Sequence, residues 1–149
     1  MDVTMLRQDA EQKFMLPRNM NHSELINDAV NISLLTTLEG ATLEGEPGLV
    51  VKLIDLYFDD VPQKLKAIGE AITFGDLDSL RSAAHSLKGS SGSLGAYKMA
   101  DLCDELEASA NDQTPHGLNT ILIRVEHEYE RVRLAFWAER QRRLAPKVG

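Results

Sequence analysis

Apolar residues recur every three or four positions through most of the chain, a spacing that predicts helices. From about Pro47 to Thr73 the sequence places Leu49, Val50, Leu53, Ile54, Tyr57, Val61, Leu65, Ile68 and Ile72 at this interval. Pro62 falls inside the run, where it removes one backbone hydrogen bond and should bend or loosen the helix. Gly75 stops the run, and Asp76 or Asp78 caps the next helix, which extends to about Leu94. Gly95 breaks the chain again. Met99, Leu102, Cys103, Leu106 and Ala110 form the stripe of a further helix ending near Asn111, and Asp112 to Gly117 reads as a turn containing Pro115. A last long helix runs from about Leu118 to Leu144, with Ile121, Leu122, Val125, Tyr129, Val132 and Phe136 inward and Trp137 helping to cover the end.

The first part of the chain is less regular. Val3, Leu6, Ala10 and Phe14 mark one face of a short helix that Pro17 ends. Ser23 and Asn31 are each placed to cap a short helical stretch, and Pro47 suits the first position of the long helix that follows the glycine-containing loop from Gly40 to Gly48. No β alternation, repeat or low-complexity tract appears. Long amphipathic helices with short links predict an all-α fold, an antiparallel four-helix bundle over residues 23–149, with residues 1–22 as an additional N-terminal helical segment.

Composition narrows the class. A chain of 149 residues with 43% hydrophobic residues suits one domain with a single core. A net charge of -7 opposes non-specific binding to nucleic acid. No apolar run approaches the roughly 20 residues that span a bilayer. The opening residues lack the apolar stretch of a secretory signal, so a cytoplasmic location is expected. Cys103 is the single cysteine, which excludes an internal disulfide and a paired-cysteine zinc knuckle; its place on an apolar stripe suits a core thiol. The C-terminal segment is basic, with Arg131, Arg133, Arg140, Arg142, Arg143 and Lys147. Cations that complement a helix dipole explain it more simply than a site for an acidic or phosphate-bearing partner.

The informative stretch is AHSLKGSSGSLG, from Ala84 to Gly95. At about 100° per residue, Leu80, Ala84, Leu87, Ser91 and Leu94 make one stripe, which must face the core. His85 then points about 140° away from that stripe, Gly89 almost opposite it, and Lys88 about 80° to its flank. Gly89 and Gly92 both lie on the side of His85. A glycine inside a helix costs about 1 kcal/mol relative to alanine, so two beside one histidine need a reason. Leaving out side chains opens the imidazole to another protein's approach, although Gly92 serves equally well to loosen the helix end. Lys88, one turn on, brings an ammonium toward any anion on the ring. Ser82 and Ser86 are small polar neighbours. Neutral imidazole has a free ring nitrogen at cellular pH, and phosphoryl transfer needs alignment and charge neutralisation more than elaborate acid–base groups. No carboxylate cluster surrounds His85 in sequence, so magnesium, where used, is expected on the partner and no intrinsic cofactor is implied. His22, His116 and His127 have no comparable surroundings and read as solvent or loop residues.

With these residues in view, the chain resembles the histidine phosphotransfer (HPt) domains of two-component phosphorelays, over roughly Asn31 to Phe136. The resemblance includes LIDLYFDDVPQKLKAI, FGDLDSLRSAAHSLKG and LGAYKMADLCDELE. It implies that His85 is the phosphoacceptor, that Lys88 stabilises phosphate charge and that Gly89 keeps steric access. It also implies response-regulator receiver domains and a hybrid sensor histidine kinase as partners. A family position that is often glutamine falls on Glu107; a carboxylate there would repel phosphate, so Glu107 is left out of the expected site. Neither a GxxxxGK[ST] loop nor a kinase-type glycine-rich loop is present, so a carrier without autokinase activity is expected, not an enzyme acting on ATP. The alternatives are a receiver-docking module that is not phosphorylated and a structural or metal-binding helical bundle.

Overall fold

The computed structural model of the protein describes residues 29–40 and 48–145. The expected helix over 1–22, the cap at Ser23, Pro47 and Lys147 lie outside the described residues. Among the described residues five helices follow one another: α1 (Ile32–Gly40), α2 (Leu49–Phe74), α3 (Leu77–Ser93), α4 (Tyr97–Ser109) and α5 (Pro115–Leu144). The last four make the bundle. Each packs on its neighbour in the chain, α5 closes the ring on α2, and α1 rests against α2.

Short-range chemistry sets the helix ends. Asn31 Oδ1 accepts from the Leu34 amide at 3.2 Å, which caps α1 as the sequence suggests. The start of α2 follows Gly48, whose φ of 92° suits only glycine easily. Glu39 reaches back from α1, and its carboxylate accepts from the amides of Gly48 and Val50 at that uncapped end. Asp76 caps α3 by accepting from the Ser79 amide and hydroxyl. Gly95 ends α3 with φ 84°, and a Cβ there would come within 3.1–3.2 Å of Asn31, whose amide donates to the Gly95 carbonyl. Two constraints, the left-handed backbone and the close approach of α1, thus converge on one glycine.

One helix boundary needs correction. Pro115 is not inside a turn: Thr114 accepts from the Gly117 amide at 3.0 Å, Pro115 occupies the first helical turn, and α5 begins there instead of at Leu118. Proline is favoured at that position because its missing N–H would have no helical partner. Helix α2 continues on both sides of Pro62.

The core follows the apolar stripes. Leu80, Ala84, Leu87 and Ser91 of α3 are fully buried and Leu94 nearly so. Val50, Ile54, Tyr57, Val61, Ile68 and Ile72 of α2 meet Val125, Tyr129, Val132 and Phe136 of α5 in one cluster, while Leu49, Leu53 and Leu65 are half-buried. The rings of Tyr57 and Phe136 pack edge to face at 5.3 Å. The one polar side chain on the α3 stripe is satisfied: Ser91 Oγ and Tyr57 Oη share a buried hydrogen bond of 2.8 Å, which ties α2 to α3. Burial pushes the Tyr57 hydroxyl above its ordinary pKa, so it stays protonated in this bond. Trp137 is half-exposed, against expectation; Arg140 lies over its ring at 5.8 Å and also bonds Asp55 of α2. Among the described residues no helix is long and apolar enough to cross a membrane.

Candidate functional site

The buried stripe of α3 fixes what its opposite face presents. With Ala84 and Leu87 at zero exposure, the intervening turn carries His85 outward, and its side chain is 71% exposed. Gly89 lies one turn further on, also exposed, and a Cβ built there would meet nothing within 4 Å. The space beside the imidazole is therefore open, as the sequence suggests. Gly92 differs. A Cβ there would come to 3.8 Å from Ala100, an ordinary contact, so Gly92 faces α4 and not the open side.

Helix α4 runs alongside and supplies two carboxylates. Glu107 is largely covered, and its Oε1 and Oε2 stand 3.1 and 3.4 Å from His85 Nδ1. One turn away, Asp104 Oδ1 accepts from Lys88 Nζ at 2.7 Å. Residues three apart on α3 thus face residues three apart on α4, giving two rungs, His85–Glu107 and Lys88–Asp104. On the other flank Ser79, Ser82, Ala83 and Ser86 of α3 line an open groove of about 530 Å³, with Lys64 of α2 across it. Lys64 is itself bonded to Asp60.

A carboxylate accepts hydrogen bonds, so Glu107 favours the imidazole tautomer with its proton on Nδ1. The lone pair then lies on Nε2, the nitrogen opposite the anchored one. This corrects the reading of Glu107. The expectation leaves Glu107 out because its charge would repel a phosphate; its contact is with Nδ1 and not with the nitrogen that carries the lone pair. Glu107 sits at Nδ1, where its carboxylate holds one edge of the ring.

Lys88 also differs from expectation. It is in the right place along α3, but its ammonium is engaged by Asp104 instead of standing free beside the ring. The hydrogen bond and charge of Asp104 raise its pKa further, so it remains a full cation. The arginines of the C-terminal segment form no free basic patch. Arg131 bonds Glu128, Arg133 bonds Glu130, Arg140 bonds Asp55, and Arg142 and Arg143 both bond Glu139. Glu128 and Glu139 are nearly buried, and burial raises the Glu128 pKa against the pull of Arg131 and Lys98. His116 and His127 lie on α5, outside the site. Among the described residues, no group of three or more His, Cys, Asp or Glu side chains is arranged to hold a metal ion.

Known proteins share this family and fold. The family model described as Hpt domain matches residues 52–135, more than half the chain. Histidine-containing phosphotransfer protein 5 of Arabidopsis thaliana is 29% identical over 90 residues, 58% of this chain and 57% of its own length. The chain thus spans little more than half the length of that curated relative. Among solved structures, histidine-containing phosphotransfer protein B from Pseudomonas aeruginosa is 31% identical, with a TM-score of 0.65 over 76% of this chain and 96% of its own. A histidine-containing phosphotransfer protein from maize shares the fold at a TM-score of 0.68 and 24% identity, over 94% of this chain and 99% of its own.

Proposed function

From the premise that the chain belongs to the Hpt domain family, we propose that it is a phosphoryl carrier of a two-component phosphorelay and that His85 is the residue charged. The observation that carries the assignment is an exposed imidazole anchored through Nδ1 by Glu107, with open space above Gly89. In this reading the Nε2 lone pair attacks the phosphorus of a receiver-domain aspartyl phosphate. The new N–P bond forms as the aspartyl O–P bond breaks, and the aspartate carboxylate leaves. The Nδ1 proton stays in its bond to Glu107, which balances the positive charge the ring acquires. The reverse step delivers the group to another receiver. A sensor kinase is the ultimate source of the phosphoryl group, and the carrier takes none directly from ATP. Magnesium belongs to the receiver, where it neutralises the transferring group.

Gly89 supports the reading by leaving room for a partner's backbone, and Lys88 supplies a cation within one turn of the ring. The test is incubation with receiver domains charged by a radiolabelled phosphoryl donor. Wild type takes acid-labile label from a cognate receiver, and His85→Gln takes none. Equal labelling of the two would refute the assignment of His85.

A further inference from the structure

The two rungs between α3 and α4 have unequal consequences for an incoming phosphoryl group. Glu107 meets the ring at the nitrogen that is not attacked. Asp104, by contrast, engages the cation nearest the histidine along α3, at 2.7 Å. Lys64, across the groove, is likewise occupied by Asp60. Each of these two lysines thus has a carboxylate partner.

We propose that Asp104 is a positioning residue for the phosphoryl step: it retains the Lys88 ammonium on α4 and so limits how readily His85 is charged. This rests on the reading of His85 as the phosphoacceptor. The Lys88 and Asp104 side chains are 43% and 57% exposed, and ion pairs at such a surface are weak enough to open. A phosphoryl group adds up to two negative charges and three acceptor oxygens, which compete with Asp104 for the ammonium. An ammonium has three donors and swings on a flexible stem, so it can turn from one acceptor to the other without moving the helix. The resting bond to Asp104 must weaken or be shared first, and that requirement opposes charging. The same contact favours discharge, because Asp104 recovers its partner when the group leaves.

The test uses phosphoramidate on the full chain, which removes any partner protein from the measurement. Its P–N bond breaks as the His85 N–P bond forms, and ammonia leaves. The rate at which phosphohistidine appears by ³¹P NMR is compared in wild type, Asp104→Asn, Asp104→Glu, Lys88→Ala and the Lys88→Ala/Asp104→Asn double variant. Asp104→Asn should be charged about two- to fivefold faster at low salt, the factor a surface ion pair can control. Asp104→Glu should return toward the wild-type rate. The gain should vanish in the Lys88→Ala background, a dependence that a merely structural role would not produce. Equal rates in wild type and Asp104→Asn would overturn the proposal, as would the same acceleration without Lys88. If wild type carries no phosphate on His85, the phosphocarrier reading falls and this one with it; if His85 is charged at rates insensitive to Asp104, this proposal alone falls.

Discussion

Glu107 Oε1 stands 3.1 Å from His85 Nδ1, so an exposed imidazole is anchored by a carboxylate twenty-two positions later in the chain. A free imidazole exchanges between tautomers, whereas an acceptor at Nδ1 favours the proton there. Glu107→Ala should raise the Nε2–H fraction in ¹⁵N-resolved imidazole spectra. It should also slow charging of His85 by phosphoramidate about three- to tenfold, the effect of losing one exposed, charge-assisted hydrogen bond. Glu107→Gln keeps an oxygen acceptor and should lose less. A tautomer ratio and rate unchanged in Glu107→Ala would remove the anchoring role.

Gly89 separates stability from access. It lies within α3, and a Cβ there meets nothing within 4 Å. Gly89→Ala should therefore stabilise the fold, by up to about 1 kcal/mol in urea titration. Gly89→Gln should leave charging by phosphoramidate nearly unchanged and slow transfer from a charged receiver, because only a protein partner must approach the helix backbone. Equal receiver kinetics for Gly89→Gln and wild type would show that the glycine is not there for access. Gly92→Ala, which gains only an ordinary contact with Ala100, should alter neither transfer rate.

Cys103 predicts an alkaline weakness. It is fully buried, and burial pushes its thiol pKa up to about 12. In the unfolded chain the thiol ionises near its ordinary pKa of about 8.5–9, so above that pH the unfolded state has lost a proton that the native state keeps. The folded pKa is the raised one, so this contribution is intact below about pH 9 and is lost as pH rises toward 12. Stability should fall by up to about 1.4 kcal/mol per pH unit from this group. Urea titrations between pH 8 and 10 should show a shallower decline for Cys103→Ala than for wild type. Identical slopes would mean that the thiol is not protected by the fold, and rapid reaction of native Cys103 with a thiol reagent would say the same.

The parts of this fold legible in sequence are those set by one helix at a time. The spacing of Leu80, Ala84, Leu87, Ser91 and Leu94 fixed the buried face of α3, and with it the exposure of His85 and Gly89. Asp76 and Asn31 were readable as caps because capping acts within three residues. The same local rule was available at Thr114 and Pro115, where proline signals a helix start as well as a turn. What no single helix encodes is the pairing across helices. Asp104 and Glu107 meet Lys88 and His85 only because α4 lies antiparallel to α3 in this register. The charge of Glu107 alone does not reveal that it meets the imidazole at Nδ1. The buried Glu128 and Glu139 had a local signal in the arginines three and four residues on, though their burial depends on how α5 packs.

The most direct test of the account is the site of the phosphoryl group itself. The phosphoramidate-treated chain should carry one acid-labile phosphate, which mass spectrometry places on His85 and ³¹P–¹⁵N correlation places on Nε2, with Nδ1 still protonated beside Glu107. His85→Gln should carry none. Phosphate on another residue, or attached to Nδ1, or present to the same extent in His85→Gln, would contradict it.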